Sequence, residues 1–143
     1  MVQTRSQSFA ETVFGQISGL PDQNAKLKKC YGGLCLKFPA LVLANGLIQT
    51  VAFIESKAAE PGARDAKPAE AARRLFLEHV WQTVRPQQPP ADSLYGFLRH
   101  ERCDCSIYMN MTRRCLQAGQ WYKRLAESLL GAEPTDDAGV ADA

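Results

Sequence analysis

CSIYMNMTRRCLQAGQWYKRLAESLLG, residues 105–131, carries the clearest periodic pattern in the chain. Its apolar positions are separated by four, four, three, four, three and four residues: Ile107, Met111, Cys115, Ala118, Tyr122, Leu125 and Leu129. Residues spaced in this way lie along one face of an α-helix, so the pattern predicts a long amphipathic helix. Asp104 or Ser106 can cap its first turn, and Gly131 can end it.

The N-terminal third of the chain predicts two further helices. Their apolar positions are Phe9, Val13, Phe14 and Ile17 in the first, and Leu27, Tyr31, Leu34 and Phe38 in the second. Gly19-Leu20-Pro21 separates the two, and Asp22 or Asn24 can cap the second. Pro39 has no amide proton and disfavours helical geometry at the residue before it, so we expect a kink or a new helix to begin there.

The middle of the chain predicts three more helices. Residues 39–56, PALVLANGLIQTVAFIES, are almost wholly apolar, which indicates a buried central helix. A charged loop over 57–68 leads into PAEAARRLFLEHVWQTV, a predicted helix with these inward-facing positions: Ala72, Leu75, Phe76 and Val80. PQQPP (86–90) is a break, and Asp92-Ser93 caps a short helix through Arg99.

Together these patterns predict an all-α fold, a compact bundle of about six helices in a single domain of residues 1–131. The chain has 143 residues, the size of one domain, and its sequence contains no alternating run rich in Val, Ile and Thr that would indicate a sheet. Residues 132–143 lack periodicity and contain four acidic and no basic residues. We therefore expect a disordered acidic tail that can be deleted without loss of thermal stability.

The body of the chain is moderately basic. Residues 1–132 contain 17 basic and 11 acidic side chains, a formal charge of +6, which permits binding to a polyanion. The sequence has no apolar stretch long enough to cross a membrane, and its N-terminus lacks the apolar segment of a secretory signal. With an odd number of cysteines, five, we expect a cytoplasmic protein with reduced thiols.

Catalytic and metal motifs are few in the sequence. The phosphate-binding glycine motifs and the HExxH zinc motif are absent from it, and His79 and His100 fit a core edge and a helix end. The strongest candidate zinc ligands are His100, Cys103, Cys105 and Cys115, but Cys115 belongs to the apolar stripe and the spacing is irregular. We therefore expect no catalytic residue, no metal and no cofactor.

Basic residues occur in short clusters along the predicted helices: Lys26/Lys28/Lys29, Arg73/Arg74, Arg113/Arg114 and Lys123/Arg124. Adjacent basic pairs on an amphipathic helix are expected to face away from its apolar stripe. They form either a solvated helix surface or a tract that neutralises the phosphates of a nucleic acid. Residue spacing does not distinguish these two interpretations.

Three segments, taken in order along the chain, resemble one protein family. In residues 31–57 the likeness is carried by Tyr31, Leu36-Lys37-Phe38-Pro39, Asn45-Gly46-Leu47, Gln49 and Ala52-Phe53. A charged loop near 56–68 then precedes AARRLFLEHV, and CLQAGQWYKRLAESLLG closes the last helix. These segments cover most of 5–131 and resemble the small subunit of type III-B CRISPR effector complexes, the Cmr small-subunit family. The five cysteines and the acidic tail are not features of that family.

The resemblance implies a non-catalytic structural protein. Such subunits are helical bundles that self-associate head to tail into a filament beside the backbone and large subunits of the Cmr complex. Their basic face contacts the phosphates of target RNA paired with crRNA, and the neighbouring backbone subunit cuts the target. On this basis we expect an RNA-facing set of seven residues: Lys26, Lys29, Lys37, Arg73, Arg74, Arg113 and Arg114.

Two other functions stay open at this point. One is a small nuclease that uses His100, Glu101 and Asp104, which metal-dependent cleavage of RNA would support. The other is a helical adaptor or DNA-binding protein, which a sequence-specific footprint on duplex DNA would support. The sequence lacks the glycine turn of a helix-turn-helix motif, and this counts against DNA binding.

Overall fold

The computed structural model describes residues 3–133, and the whole of this part is built from helices and their connections. Six helices follow one another: α1 (Arg5–Ser18), α2 (Ala25–Asn45), α3 (Leu47–Ser56), α4 (Pro68–Val84), α5 (Leu94–Arg99) and α6 (Cys105–Leu130). No strand occurs among the described residues. The predicted all-α bundle is confirmed.

The two longest helices, α2 and α6, pack against each other in antiparallel directions. Gly32 in the first half of α2 lies beside Ala132, which follows α6, whereas Pro39 lies beside Gly119 in the middle of α6. Near the start of α6, the Tyr108 hydroxyl accepts a hydrogen bond from the backbone amide of Ile48. The helices α4 and α1 pack on this pair and close the core.

Short polar side chains cap four of the six helices of the described residues, and three of these caps, at α2, α5 and α6, were predicted. Thr4 and Gln7 form a reciprocal capping box at α1, and the side chain of Asn24 accepts a hydrogen bond in the first turn of α2. Asp104 accepts the corresponding bond from the amide of Ile107 in α6. Gly131 ends α6 in the left-handed conformation, which glycine adopts without steric cost. Each cap satisfies amide or carbonyl groups that the helix itself leaves unpaired.

A new helix does not begin at Pro39, one of the two predicted outcomes, because α2 continues through that residue to Asn45. The break lies at Gly46, whose φ of 86° ends α2 and starts α3. The segment predicted as one buried central helix, 39–56, is therefore divided between two helices, and Leu43 within it is 73% exposed. A proline inside a helix costs roughly 3 kcal/mol. The packing of the Pro39 ring against Gly119 on α6 offsets part of that cost.

Most of the predicted inward positions are buried. The exceptions lie either beside the apolar stripe of a helix or at a helix end. Phe9, Val13 and Ile17 are buried, but Phe14 is 51% exposed because it lies about 100° around α1 from Val13. In α6 the stripe is buried at its centre, whereas its first and last members reach solvent: Ile107 and Leu129. A helix end projects beyond its neighbours, so its stripe loses the partners that cover the centre.

The structure describes two residues of the predicted acidic tail, Ala132 and Glu133. Ala132 packs against the core just after the end of α6. Its amide donates to the Ala126 carbonyl, and its Cβ lies against Gly32. The rest of the predicted acidic tail, residues 134–143, lies outside the described residues. Among the helices of 3–133, none has both the length and the apolar character needed to span a membrane.

An aromatic cluster forms the centre of the core, where α2, α4 and α6 meet. Phe76 of α4 makes edge-to-face contacts with Tyr31, Phe38 and Tyr122, with ring centroids 5.7, 5.2 and 5.5 Å away. This geometry places the positive edge of one ring against the negative face of another. Phe76 is fully buried, so it joins the three long helices through a single side chain.

Polar groups bordering this cluster are paired with one another. The Tyr31 hydroxyl lies 2.7 Å from Nδ1 of His79, and the Tyr122 hydroxyl lies 2.9 Å from Oγ1 of Thr83. Gln16 of α1 donates to the His79 carbonyl and accepts from Tyr122. Burial raises the pKa of Tyr31 well above its usual range, so its hydroxyl keeps its proton in this hydrogen bond.

We expect the protein to lose stability as the pH falls from 6.5 to 4, through His79. Burial lowers the pKa of His79 from 6.5 to about 4, so over this range the unfolded chain binds a proton that the folded chain does not. The expected loss is about 1–2 kcal/mol, a value discounted because the ring is only half-buried. Urea unfolding at several pH values should show a shallower pH dependence in His79→Gln. Parallel pH profiles for the two proteins would contradict this assignment.

Candidate nucleic-acid interface

The seven basic residues expected to face RNA do not form one cluster. Lys26 and Lys29 lie in the first turns of α2. This end of α2 is beside the C-terminal end of α6, where Lys29 and Leu129 line one shallow groove. Arg113 lies in the other half of α6, which places it toward the opposite end of the antiparallel pair. Lys37 is half-buried in the middle of α2. The structure therefore divides the predicted set among separate surfaces.

The lysines at the start of α2 form the first of these surfaces. Lys26 and Lys29 are exposed and three residues apart, so they lie on neighbouring parts of one helix face. Lys28 instead pairs with Asp22 at 2.6 Å, and this contact lowers the pKa of the Asp22 carboxyl. Glu133 lines the groove beside Lys29. Acidic groups therefore accompany the basic ones at this end of the molecule.

Arg73 does not face solvent, and its predicted exposure is wrong. Its side chain is buried, with 7% of the residue exposed, and Nη1 lies 3.4 Å from the backbone carbonyl of Lys57. Adjacent residues on a helix point about 100° apart, so both members of a pair cannot face directly away from the core. The loop after α3 packs over the side of α4 that carries Arg73 and covers its side chain.

Arg74 is engaged with the protein rather than directed to a ligand. Its Nη1 and Nη2 donate to both carboxylate oxygens of Glu55, at 3.0 and 2.6 Å. Its Nε donates to the Ala59 carbonyl at 2.6 Å. The guanidinium therefore joins α3, the loop after it and α4 through three charge-assisted hydrogen bonds. Arg73 and Arg74 thus stabilise the fold, and we leave both out of the proposed RNA contacts.

Arg74→Ala should lower the free energy of unfolding by about 1–2 kcal/mol. The substitution removes a bidentate ion pair that is mostly shielded from solvent and leaves the Glu55 carboxylate without its cation. Urea unfolding of Arg74→Ala, Glu55→Gln and the double variant gives the coupling energy between the two side chains. Arg64→Ala, an exposed arginine in the same loop, is the matched control and should change stability by less than about 0.5 kcal/mol. Additive effects of the two substitutions would contradict a structural role for Arg74.

Arg114 joins α6 to α4 and α1 at a second basic surface. Its Nε donates to the Val84 carbonyl at 3.0 Å, and its guanidinium lies 5.7 Å from the centre of the Phe9 ring. Burial and, secondly, the positive charge of Arg5 lower the pKa of Arg114. Two positive charges are therefore close together where α1 begins. Arg5 stands alone in the sequence, so residue spacing could not identify it as part of this surface.

The outward side of α6 extends this surface. Arg113, Gln117, Gln120 and Arg124 are separated by four, three and four residues, opposite the buried stripe of the helix. We call these four residues the α6 outer face. Its two arginines are eleven positions apart, a span of about 16 Å along the axis. Within Cys105–Leu130 the sequence has four basic residues and one acidic residue, so the helix as a whole is positively charged.

The residues of the alternative nuclease form a local turn. His100 Nδ1 accepts a hydrogen bond from the backbone amide of Arg102, and Asp104 Oδ1 accepts one from the amide of Ile107. Glu101 is exposed on the same turn. One ring nitrogen of His100 and one carboxylate oxygen of Asp104 are therefore used in the turn and the helix cap, an arrangement typical of structural residues.

The candidate zinc ligands are also not assembled. Cys115 is fully buried in the α6 stripe, and burial raises the pKa of its thiol to about 12, which opposes the thiolate that zinc requires. Cys103 is half-buried and Cys105 is exposed at the first residue of α6. Over residues 3–133 no three His, Cys, Asp or Glu side chains come together as metal ligands would.

Comparison with known proteins identifies relatives along almost the whole chain. The family model described as CRISPR-associated protein (Cas_Cmr5) matches residues 5–129. A curated protein from Thermus thermophilus, CRISPR system Cmr subunit Cmr5, is 25% identical over 129 residues, which is 90% of this chain and 98% of the relative. The crystal structure of a Cmr5 family protein from the same organism has a TM-score of 0.66 at 24% identity and covers 90% of this chain and 99% of that one. The two chains share one fold.

Proposed function

Because the chain belongs to the Cas_Cmr5 family of CRISPR-associated proteins, as its sequence motifs indicated, we propose that it is a non-catalytic structural subunit of a type III-B CRISPR ribonucleoprotein complex. Its partners are the other Cmr subunits, among them the backbone and large subunits, and the target RNA paired with crRNA. The curated Thermus relative is a subunit of the Cmr system, and it matches this chain over nearly its full length. That match supports the proposed assembly.

The observation that carries the RNA-binding part of the proposal is the basic surface around α6. The Arg114 guanidinium lies 5.7 Å from the ring of Phe9, one helical turn after Arg5, and the two arginines of the α6 outer face extend this charge along the helix. Glutamines lie between Arg113 and Arg124, so no carboxylate interrupts this four-residue face. Guanidinium groups bind phosphate oxygens through two hydrogen bonds at once, which favours an RNA backbone as the ligand.

Contacts of this kind do not depend on base identity. Phosphates are the same at every nucleotide, so basic residues that bind them hold any paired strand with equal strength. In RNA-guided systems base pairing reads the sequence and the protein reads the backbone geometry. The subunit therefore stabilises the guide–target duplex without selecting it. Lys26 and Lys29 at the start of α2 and Lys37 in its middle lie apart from the basic surface around α6, and we assign them to a second, weaker contact with RNA.

Self-association into a filament is the second part of the proposal. Several large apolar side chains are exposed on this single chain: Phe14, Leu43, Ile48, Ile107, Met109 and Leu129. Ile48 and Met109 belong to one end of the α2–α6 pair, where the Ile48 amide bonds to Tyr108, whereas Leu129 lies at the other end. Apolar groups at the two opposite ends are compatible with head-to-tail stacking of successive copies.

Replacing Arg113 and Arg124 by glutamine should weaken target RNA binding by the assembled complex about tenfold at low salt. The loss should be equal for every matched target, because phosphates are the contacts removed. The slope of log affinity against log salt should become shallower by about 1.4 units, since each of the two lost phosphate contacts contributes about 0.7 for a single strand. Binding is measured at several salt concentrations with two unrelated guide–target pairs.

Arg64→Gln with Lys67→Gln serves as the matched control for that experiment. It removes the same charge from exposed positions in the loop after α3, far from the α6 outer face in sequence. This control should leave the salt slope unchanged. An equal slope for the Arg113/Arg124 variant and the wild type would refute the α6 contact. Metal-dependent RNA cleavage by the isolated chain, abolished by His100→Ala, would favour the nuclease instead.

A further inference from the structure

A groove of about 360 Å³ lies between the 86–90 turn, α5 and the first half of α6, and the proposed function does not yet use it. Its apolar lining is supplied by five side chains: Pro86, Pro90, Phe97, Ile107 and Met111. The two prolines make one wall of the groove rigid, because the proline ring fixes the backbone φ angle. The volume is in the range of cavities that bind small organic ligands.

The polar lining of the groove is positively charged. Arg102 and Arg114 both contribute to it, together with the amide of Asn110. The residues of the described chain that line it include no aspartate or glutamate. The Val84 carbonyl fixes the Nε of Arg114, so its guanidinium is held in place before any ligand arrives. An apolar slot bordered by two arginines without a carboxylate is complementary to a ligand that has a flat ring and an anionic group.

We propose that this groove binds one unpaired nucleotide of an RNA strand, with the base in the apolar slot and a flanking phosphate on Arg102 and Arg114. The inference rests on the proposed function and adds a ligand subsite to it. Every nucleobase has an apolar face that packs on such surfaces, and every one has an edge that the Asn110 amide can meet as donor or acceptor. A base within a duplex is stacked on both faces and cannot enter, so the groove selects unpaired nucleotides.

The position of Arg114 connects this groove to the basic surface already described. On one side Arg114 contacts Phe9, and the charge of Arg5 contributes to lowering its pKa. On its other side Arg114 lines the groove. Arg113, which belongs to the α6 outer face, is the residue directly before it in the chain. A strand held by its phosphates on α6 therefore passes the mouth of the groove, where one unstacked base can insert.

The test is a titration of the full chain, labelled with ¹⁵N, with single-stranded hexauridylate and hexaadenylate at low salt. We expect amide shifts in Gln87, Gln88 and residues 107–111, and binding about tenfold tighter than that of a blunt six-base-pair RNA duplex. Ile107→Trp fills the groove without changing charge and should weaken single-strand binding about tenfold, while duplex binding stays the same. Cys105→Trp, an exposed position at the start of the same helix and outside the groove lining, is the matched control and should bind as the wild type does.

The outcomes separate the groove from the wider proposal. Equal affinities of Ile107→Trp and wild type for hexauridylate would overturn the groove assignment, as would equal binding of duplex and single strand. Shifts confined to Arg113, Gln117, Gln120 and Arg124 would overturn the groove and leave the α6 contact intact. The absence of any shift with either RNA would refute both. Concentration-dependent shifts of the groove amides without RNA would assign the groove to a second copy of this chain and overturn the nucleotide proposal.

Discussion

Phe76→Ala should lower the free energy of unfolding by about 3–5 kcal/mol, the largest effect expected for a single substitution in this protein. Phe76 is fully buried and contacts the rings of Tyr31, Phe38 and Tyr122. The substitution removes the apolar area of the ring and leaves a cavity at the junction of three helices. Each edge-to-face contact that is lost adds to the cost of the cavity.

Urea unfolding followed by circular dichroism measures this loss. Phe14→Ala is the matched control, since it removes the same side chain from a half-exposed position on α1, and we expect a change below about 1 kcal/mol. Phe76→Leu retains most of the apolar volume and should fall between the two. A loss below about 1.5 kcal/mol for Phe76→Ala would mean that the aromatic cluster does not hold the three helices together.

Gly119→Leu should lower the free energy of unfolding by about 2–3 kcal/mol, because it forces α2 and α6 apart. A Cβ atom at this position would lie 3.1 Å from Cγ of Pro39 and 3.5 Å from Cδ2 of Phe38. The proline ring is rigid and cannot rotate away, so the added side chain has no space between the helices. Leucine has a much higher helix propensity than glycine, so propensity alone would raise the free energy of unfolding. A decrease would therefore show that the packing of α6 against α2 decides the outcome.

Gly15→Ala in α1 is the control for that substitution. Among the described residues, no atom outside its own helical turn lies within 4 Å of a Cβ built on Gly15. Alanine there should raise the free energy of unfolding by about 0.5–1 kcal/mol through its helix propensity alone. If Gly119→Leu proved as stable as the wild type in thermal unfolding, the close approach of α2 and α6 at Pro39 would be incorrect.

Both substitutions also bear on the proposed function. The arginines of the α6 outer face keep their spacing only while α6 is rigid, and α6 is held by Phe76 and by the contact of Gly119 with Pro39. Destabilised variants should therefore lose RNA contacts and groove binding together. Arg113→Gln with Arg124→Gln should instead lose RNA binding while retaining its unfolding midpoint, because both side chains are exposed.

The candidate interface could be predicted from the sequence only in part. Arg113 was identified because an exposed position opposite an apolar stripe follows from helical periodicity alone. Arg73 was misplaced because its burial depends on the loop after α3, whose carbonyl at Lys57 lies beside it. Arg5 was missed because its neighbour Arg114 is more than a hundred residues away in the chain. Its single charge at the start of α1 shows no pattern in the sequence.

The sequence alone specified six helices, the N-terminal caps of three of them and the residues at the centre of the core, but it misplaced the boundary between α2 and α3. These features depend on interactions within a few residues: the spacing of apolar side chains, a side chain that binds a first-turn amide, and a glycine after the last turn. Tertiary structure determined that α2 runs through Pro39 to Asn45, that Arg73 and Arg74 bond to the loop after α3 and to Glu55, and that Arg114 packs on Phe9 of α1. Each of these features depends on which helix or loop packs against the residue concerned. Such contacts join residues that are far apart in the chain, so the local spacing of residues does not indicate them.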